Sequence, residues 1–326
     1  MTPFIESPRR RDLLAMAGLV LPWPLAVTAA RAAAPGVFET VQVADRVYAL
    51  VGDLGQRSAA NLGNNMTCGF LVADDGVVVI DTGGSRAGAQ AIEAAVRAVT
   101  DKPIRWAVNT GGQDHRWLGN DHFRRAHGST IVAAEAGLAD MKARTFQQMD
   151  MARRNVGAAF EGTEAAYPDT TFAQRWTMPV RGLEVELLYT GGAHTRGDLL
   201  VWLPKQRIVF AGDAVFAERL LGIQPGLALK WIVALERLRD QVQPVTVIPG
   251  HGRPGPVDKA LADSLGYLLM LRDGARRLFD AGAFDPVEVA EKLDQSKFAY
   301  LRNYEDTRFR SENAIRMAEE VLKSRE

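Results

Sequence analysis

Cysteine is almost missing from this sequence: Cys68 is the only one among 326 residues. A single thiol excludes an intrachain disulfide and any zinc site built from cysteines. An excess charge of either sign is missing too. Lys+Arg and Asp+Glu both number 39, so the formal net charge is zero and nothing draws the chain to nucleic acid or an anionic membrane surface. Histidine is scarce, with five in all. No internal repeat, low-complexity tract or interdomain linker is visible, and no nucleophile motif stands out. Long apolar runs are lacking as well. The stretch from Leu13 to Val27 is short and broken by Pro22 and Pro24, which argues against a spanning helix. What is present is a 47% hydrophobic composition, enough for a substantial core in one large domain or two small ones. Cys68, inside Met66–Val72, reads as a small core residue of a buried strand.

The first residues carry a targeting pattern. Arg9-Arg10-Arg11 precedes Asp12-Leu13-Leu14, a moderately apolar stretch and then Thr28-Ala29-Ala30-Arg31-Ala32-Ala33-Ala34. A basic start, an apolar middle and an Ala-x-Ala cleavage site make a secretory signal, and the paired arginines resemble the twin-arginine type. Residues 1–34 are therefore expected to be an export signal cleaved near Ala32 or Ala34, giving a soluble periplasmic protein without a membrane anchor. An uncleaved anchor is the alternative.

Beyond that, residues 37–51 suggest two strands. Residues 66–73 and 77–80 suggest a hairpin with Asp75-Gly76 in its turn. The pattern continues with an Ala-rich helix over 87–99, a strand over 104–110, a short helix over 120–125, a strand over 129–133 and a long helix over 134–156. A loop rich in Gly, Pro and Thr covers 157–169, and more strands follow. Helices are expected over 257–279, 286–293 and 311–323. This order predicts an α+β fold in which two β-sheets pack face to face with helices outside. Residues 35–256 form its main domain, and a helical extension over 257–326 packs on the same domain.

Three segments in the second half end an apolar strand pattern and place a metal-binding residue in a Gly turn. They are Gly191-Gly192-Ala193-His194-Thr195-Arg196-Gly197-Asp198, then Ala211-Gly212-Asp213, then Pro249-Gly250-His251-Gly252. A rigid sheet presents ligands from loops at one rim in this way. Any one segment alone reads equally well as a histidine or aspartate capping a strand end. Together they favour N and O donors gathered from separate strands around one metal.

With Gly69-Phe70-Leu71-Val72, Val77-Val78-Val79-Ile80-Asp81-Thr82-Gly83 and Thr110, these segments follow the order of the metallo-β-lactamase superfamily, which the chain resembles from Gly69 to Gly252. The resemblance implies an αβ/βα sandwich and a dinuclear zinc hydrolase. In that family the two late histidines serve one metal each and the aspartate of the Gly-Asp segment bridges them. The family's first motif, His-x-His-x-Asp-His with Gly-Asn a few residues on, is replaced by Gly111-Gly112-Gln113-Asp114-His115-Arg116-Trp117-Leu118-Gly119-Asn120. Counted back from Gly119-Asn120 without a gap, Gly111 and Gln113 stand at the first two histidines and His115 at the aspartate. One inserted residue instead aligns Asp114-His115 with Asp-His. The second register keeps both ligand types and is preferred.

On that register one metal keeps Asp114, His115, Asp213 and His251. The other keeps only His194 and a share of Asp213, with Gln113 as a weak donor, so one tight zinc and a weak or absent second are expected. Asp114 would orient water or take its proton, and His194 or Arg116 would steady developing negative charge. Asp81 and Asp198 would fix ligand loops, with Asp198 as a plain turn residue the alternative. His122 and His127 read as surface or packing residues, with His122 the one able to line the site. Thr110–Asn120 and the arginine-rich start are also similar to zinc metallohydrolases associated with periplasmic quinoprotein dehydrogenase systems, related to the SoxH group. The expected function is hydrolysis of a small-molecule carbonyl, thioester or similar electrophile, with a quinoprotein dehydrogenase system as a partner. A non-catalytic periplasmic accessory protein with a decayed metal site is the alternative, and di-iron redox chemistry is disfavoured by the missing donors.

Overall fold

Runs of Val, Ile and Leu that do not alternate with polar residues mark strands covered on both faces, and such strands build the centre of this protein. The computed structural model describes residues 36–325; the proposed export signal, residues 1–34, lies outside them. The first half contains β1 (Glu39–Ala44), β2 (Val47–Val51), β3 (Thr67–Val72), β4 (Val77–Ile80), α1 (Arg86–Arg97) and β5 (Ile104–Val108). It continues with α2 (Asp114–Trp117), α3 (Asn120–His127), β6 (Thr130–Ala134), α4 (Glu135–Val156) and β7 (Thr170–Phe172). The second half contains β8 (Arg175–Thr177), β9 (Glu186–Tyr189), β10 (Leu199–Leu203), β11 (Ile208–Phe216) and α5 (Ala228–Arg237). It ends with β12 (Thr246–His251), β13 (Gly255–Pro256), α6 (Val257–Asp280), α7 (Pro286–Lys292) and α8 (Thr307–Lys323).

Strands β1 to β7 form one sheet in sequence order, antiparallel up to β4 and parallel from β4 to β7. The second sheet has the order β13-β12-β11-β10-β9-β8, with β11 and β12 its parallel pair. Inward residues of both sheets meet in one core: Val78, Ile80 and Val108 from the first, Leu199, Phe210 and Ile248 from the second. On the far face of the first sheet, Val77, Val79 and Phe70 pack under Ile92 and Val96 of α1 and Phe123 of α3. The far face of the second sheet packs with Trp231 of α5, Leu268 and Leu271 of α6 and Met317 of α8. The result is the expected sandwich of two sheets between helices, with α6 and α8 sharing the core of the second sheet. Cys68 is buried in the first sheet, and burial pushes its thiol well above the usual range. No helix of the described residues is long and apolar enough to cross a membrane.

Two expectations need correcting. Asp213 does not sit in a turn after its strand. Strand β11 continues through it to Phe216, because Gly212 takes a left-handed backbone (φ +51) that shifts the register against β12 without ending the pairing. Helix α5 has no counterpart in the sequence expectations, since its 10 residues lie between two strong strand signals.

The carboxyl ends of β4, β5 and β12 and the irregular stretch of β11 after Gly212 bring Asp81, Thr110, His251 and Asp213 to one rim, where α2 is wedged. Gly119 secures that wedge by donating its N–H to the Gly83 carbonyl at 2.9 Å, and a Cβ there would collide with the Thr82 carbonyl oxygen. Gly119→Ala should therefore lower stability by about 1–3 kcal/mol, the usual cost of overpacking. This would be seen as a lower urea midpoint at unchanged m-value.

Candidate metal centre

Arg116, on α2, is wholly buried and is surrounded by acceptors. Its Nη1 donates to Asp81 Oδ2 at 2.8 Å and the Thr67 carbonyl at 3.0 Å. Its Nη2 donates to Asp213 Oδ1 at 2.6 Å and the Gly250 carbonyl at 2.8 Å. Asp81 also accepts from the backbone N–H and hydroxyl of Thr110 at 2.7 and 2.8 Å. Burial pulls the guanidinium down, but Asp213 and Asp81 outweigh it and hold Arg116 above its ordinary value. Burial likewise works to raise Asp213, yet Arg116, His115 and His251 hold that carboxyl well below the usual carboxylate range. Asp213 is thus a fixed anion beneath the cavity floor.

Two imidazoles meet it. His115 Nε2 lies 3.2 Å from Asp213 Oδ2 and His251 Nε2 lies 3.2 Å from Oδ1, and one donor atom from each of the three residues falls within 4.8 Å of the others. Burial, then the charge of Arg219, keeps His251 well below its ordinary value, so its ring is neutral. His115 Nε2 and Asp213 Oδ2 are buried and make no hydrogen bond. Two imidazole nitrogens of the cavity wall and a carboxylate beneath it, partly unsatisfied, fit a single zinc ion with room for a further ligand. The residues present therefore fit the group that the sequence implied.

The remaining expected residues are placed differently. Asp114 is adjacent to His115 on α2, and about 100° of helical rotation between neighbours keeps both from facing one point. Its Oδ2 lies 3.2 Å from Arg57 Nε, and its Oδ1 accepts the His115 backbone N–H at 2.8 Å. Arg57 holds the Asp114 carboxyl far below the usual range against the opposing effect of burial. Asp114 is therefore not brought to the cluster, and the ungapped count from Gly119-Asn120, with His115 in the aspartate's place, is the register the geometry matches. Arg116, expected to steady an oxyanion, instead turns inward and spends both terminal nitrogens on the protein.

His194 lines the cavity beside His115 and His251 without joining their three-residue cluster. Its Nδ1–H donates to the Gly222 carbonyl at 2.7 Å, which leaves the Nε2 lone pair free, and Phe216 and Trp231 pack against the ring. Burial lowers His194 to about 4, against the pull of Asp213. Asp198 fastens this loop by accepting the Thr195 N–H at 2.7 Å, and burial pushes it up to about 8. Gln113 reaches Asp114 Oδ1 at 3.3 Å and accepts from Arg144 at 3.2 Å. His122 and His127 turn away from the cavity and share the Glu93 carboxylate, at 2.6 and 2.8 Å. Arg57 and Arg219 were not legible in the sequence. Each stands in a loop without a motif, and only the fold brings them to the cavity.

The sequence profile of the Metallo-beta-lactamase superfamily matches residues 64–251. A linear primary-alkylsulfatase of Pseudomonas sp. (strain ATCC 19151) is 22% identical over 280 residues, covering 73% of this chain and 52% of that protein. A metallo-beta-lactamase type 2 of Bacillus sp. (strain 170) is 32% identical over 82 residues, covering 24% and 31%. The chain spans about half, or less, of the length of these curated relatives. Among solved structures, a metallo-beta-lactamase from Pontibacter korlensis superposes with TM-score 0.57 at 22% identity, covering 71% of this chain and 99% of that one. The inverting sec-alkylsulfatase Pisa1 from Pseudomonas sp. gives 0.65 at 17%, covering 87% and 50%. With its profile matched from β3 to the end of β12 and its donors at the carboxyl ends of the central strands, the chain belongs to the metallo-β-lactamase superfamily.

Proposed function

We propose that the protein is a metal-dependent hydrolase of a small molecule, with one zinc held by His115, Asp213 and His251. The observation that carries this is the pair of buried donors without a hydrogen bond, His115 Nε2 and Asp213 Oδ2, set beside His251 at the base of a cavity of about 160 Å³ that both histidines line. Zinc in such a set supplies Lewis acidity that makes water nucleophilic near neutral pH. His194, neutral above about pH 4 and fixed in one tautomer by the Gly222 carbonyl, accepts the proton of the attacking water at Nε2. Arg116 keeps Asp213 ionised and immobile, so that its orientation is set before substrate arrives. The electrophile is a carbonyl, thioester or similar ester-type centre. The arginine-rich start of the chain supports export to the periplasm, and the Thr110–Asn120 segment supports a link to a quinoprotein dehydrogenase system.

A second reading has its own observation. A metal-bound imidazole normally donates its other N–H to an acceptor, yet His251 Nδ1 has Arg219 Nη1 at 3.3 Å, and at His115 Nδ1 the Arg57 Nη1 at 3.2 Å competes with Asp114 Oδ1 at 3.3 Å. With Gly111 and Gln113 replacing two histidines, this favours a non-catalytic accessory protein whose metal site has decayed. Metal analysis separates the readings. Purified protein should hold close to one zinc per chain; none after zinc loading supports the accessory role, and two equally tight ions would refute the single-metal site.

Within the site, His251→Ala should lose zinc and activity together. His194→Ala should keep most of its zinc and lose turnover about 100-fold or more, the usual worth of a general base. Zinc content and hydrolysis of ester, thioester and lactam substrates check both; equal zinc loss in the two variants would make His194 a ligand. Replacing Arg10 and Arg11 by lysine should stop mature protein from reaching the periplasm, as read by cell fractionation. Unchanged export would point to the general secretory route.

A further inference from the structure

Arg219 lies three residues beyond β11, is 8% exposed and lines the cavity of the candidate metal centre. Its Nη1 donates to the Gly55 carbonyl at 3.0 Å and stands 3.3 Å from His251 Nδ1, while its Nε is buried with no partner. Among the described residues no carboxylate forms an ion pair with it. Asp213 and Asp53 act on it only at a distance, and Asp213 shares Arg116 with Asp81. Two further guanidinium groups line the same cavity and are offset: Arg57 by Asp114 at 3.2 Å, Arg316 by Glu312 at 3.4 Å. The side chains that line the cavity are therefore cationic by one buried charge that forms no ion pair.

A guanidinium withdrawn from water without a counter-ion is costly, and its forked N–H groups match the oxygens of a carboxylate, sulfate or phosphate. Phe216, Leu220 and Phe309 line the cavity as well, so an apolar body has a surface to rest on. The volume, about 160 Å³, suits a small molecule and not a polymer. We infer that the cavity binds the oxyanion end of a small, partly apolar organic anion, with Arg219 as its anchoring cation and Arg57 beside it. This rests on reading the cavity as the hydrolase site and adds the charge of the substrate.

The test titrates full-length, zinc-assayed protein with inorganic sulfate, inorganic phosphate and acetate by isothermal calorimetry at constant ionic strength. At least one should bind the wild type, and the tightest names the anionic group. Arg219→Gln should weaken that binding roughly 10- to 100-fold, the worth of a hydrogen bond to a charged group. Arg219→Lys should retain part of it, and the exposed Arg239→Gln should match wild type. Equal affinity in Arg219→Gln, or no binding of any of the three anions to the wild type, overturns the inference. If Arg219→Gln does not fold, the same anions should raise the Tm of the wild type and raise it less in Arg57→Gln; no rise in the wild type overturns the inference. Binding is read without turnover, so a protein that binds the anion but hydrolyses nothing refutes the hydrolase reading and leaves the anion pocket standing.

Discussion

The buried ion triad Asp81–Arg116–Asp213 is the constraint on which the site depends. Asp81 comes from the end of β4 in the first sheet and Asp213 from within β11 in the second, while Arg116 comes from the short helix between β5 and α3. All three are shielded from solvent. Such a cluster is weak evidence for net stability, because desolvating three charges offsets most of their attraction. Its effect is on geometry. Each charge has its partners in only one arrangement of the two sheets, and departing from it would leave a bare charge in the core.

Asp213 thereby serves two masters at once. One oxygen is bound by Arg116 and approached by His251, and the other faces His115 without a hydrogen bond. A carboxylate pinned from behind by a cation is pre-oriented towards the cavity, and metal sites draw much of their precision from such outer contacts. Asp81, with its left-handed backbone (φ +65), anchors the Thr110 turn that leads into α2. Backbone strain at the rim is thus matched by three hydrogen-bond donors on one carboxylate.

The three cavity histidines differ in what stands behind them. His194 has a carbonyl behind Nδ1, which leaves its inner nitrogen unprotonated and basic in the geometric sense. His115 and His251 each have a guanidinium there, accompanied at His115 by Asp114 Oδ1 at 3.3 Å, and the charge of Arg219 adds to burial in holding His251 neutral. The arginines that moderate the metal position are the same groups that make the cavity attractive to an anion. Gly111 and Gln113 offer the cavity fewer metal donors than two histidines would, and Arg219 gives it a buried cation, so both features suit an anion.

The strand ends and the residues they carry were legible from the amino-acid pattern alone. Unbroken apolar runs followed by Gly-His or Gly-Asp located His194, Asp213 and His251, and the strand–helix order located the sandwich. That pattern could not fix the direction of neighbouring side chains on a four-residue helix, so Asp114 and Arg116 were both aimed at the cavity when one pairs with Arg57 and the other turns into the core. Nor could it reveal Arg57 and Arg219, because a single arginine in an irregular loop has no periodicity and no spacing rule. Their position depends on where the 52–66 loop and the segment after β11 come to rest against each other, joined by Arg219 Nη1 on the Gly55 carbonyl. Local pattern is written in the sequence at short range; which charges end up facing one another is set in the folded chain, by contacts such as that between residues 164 positions apart.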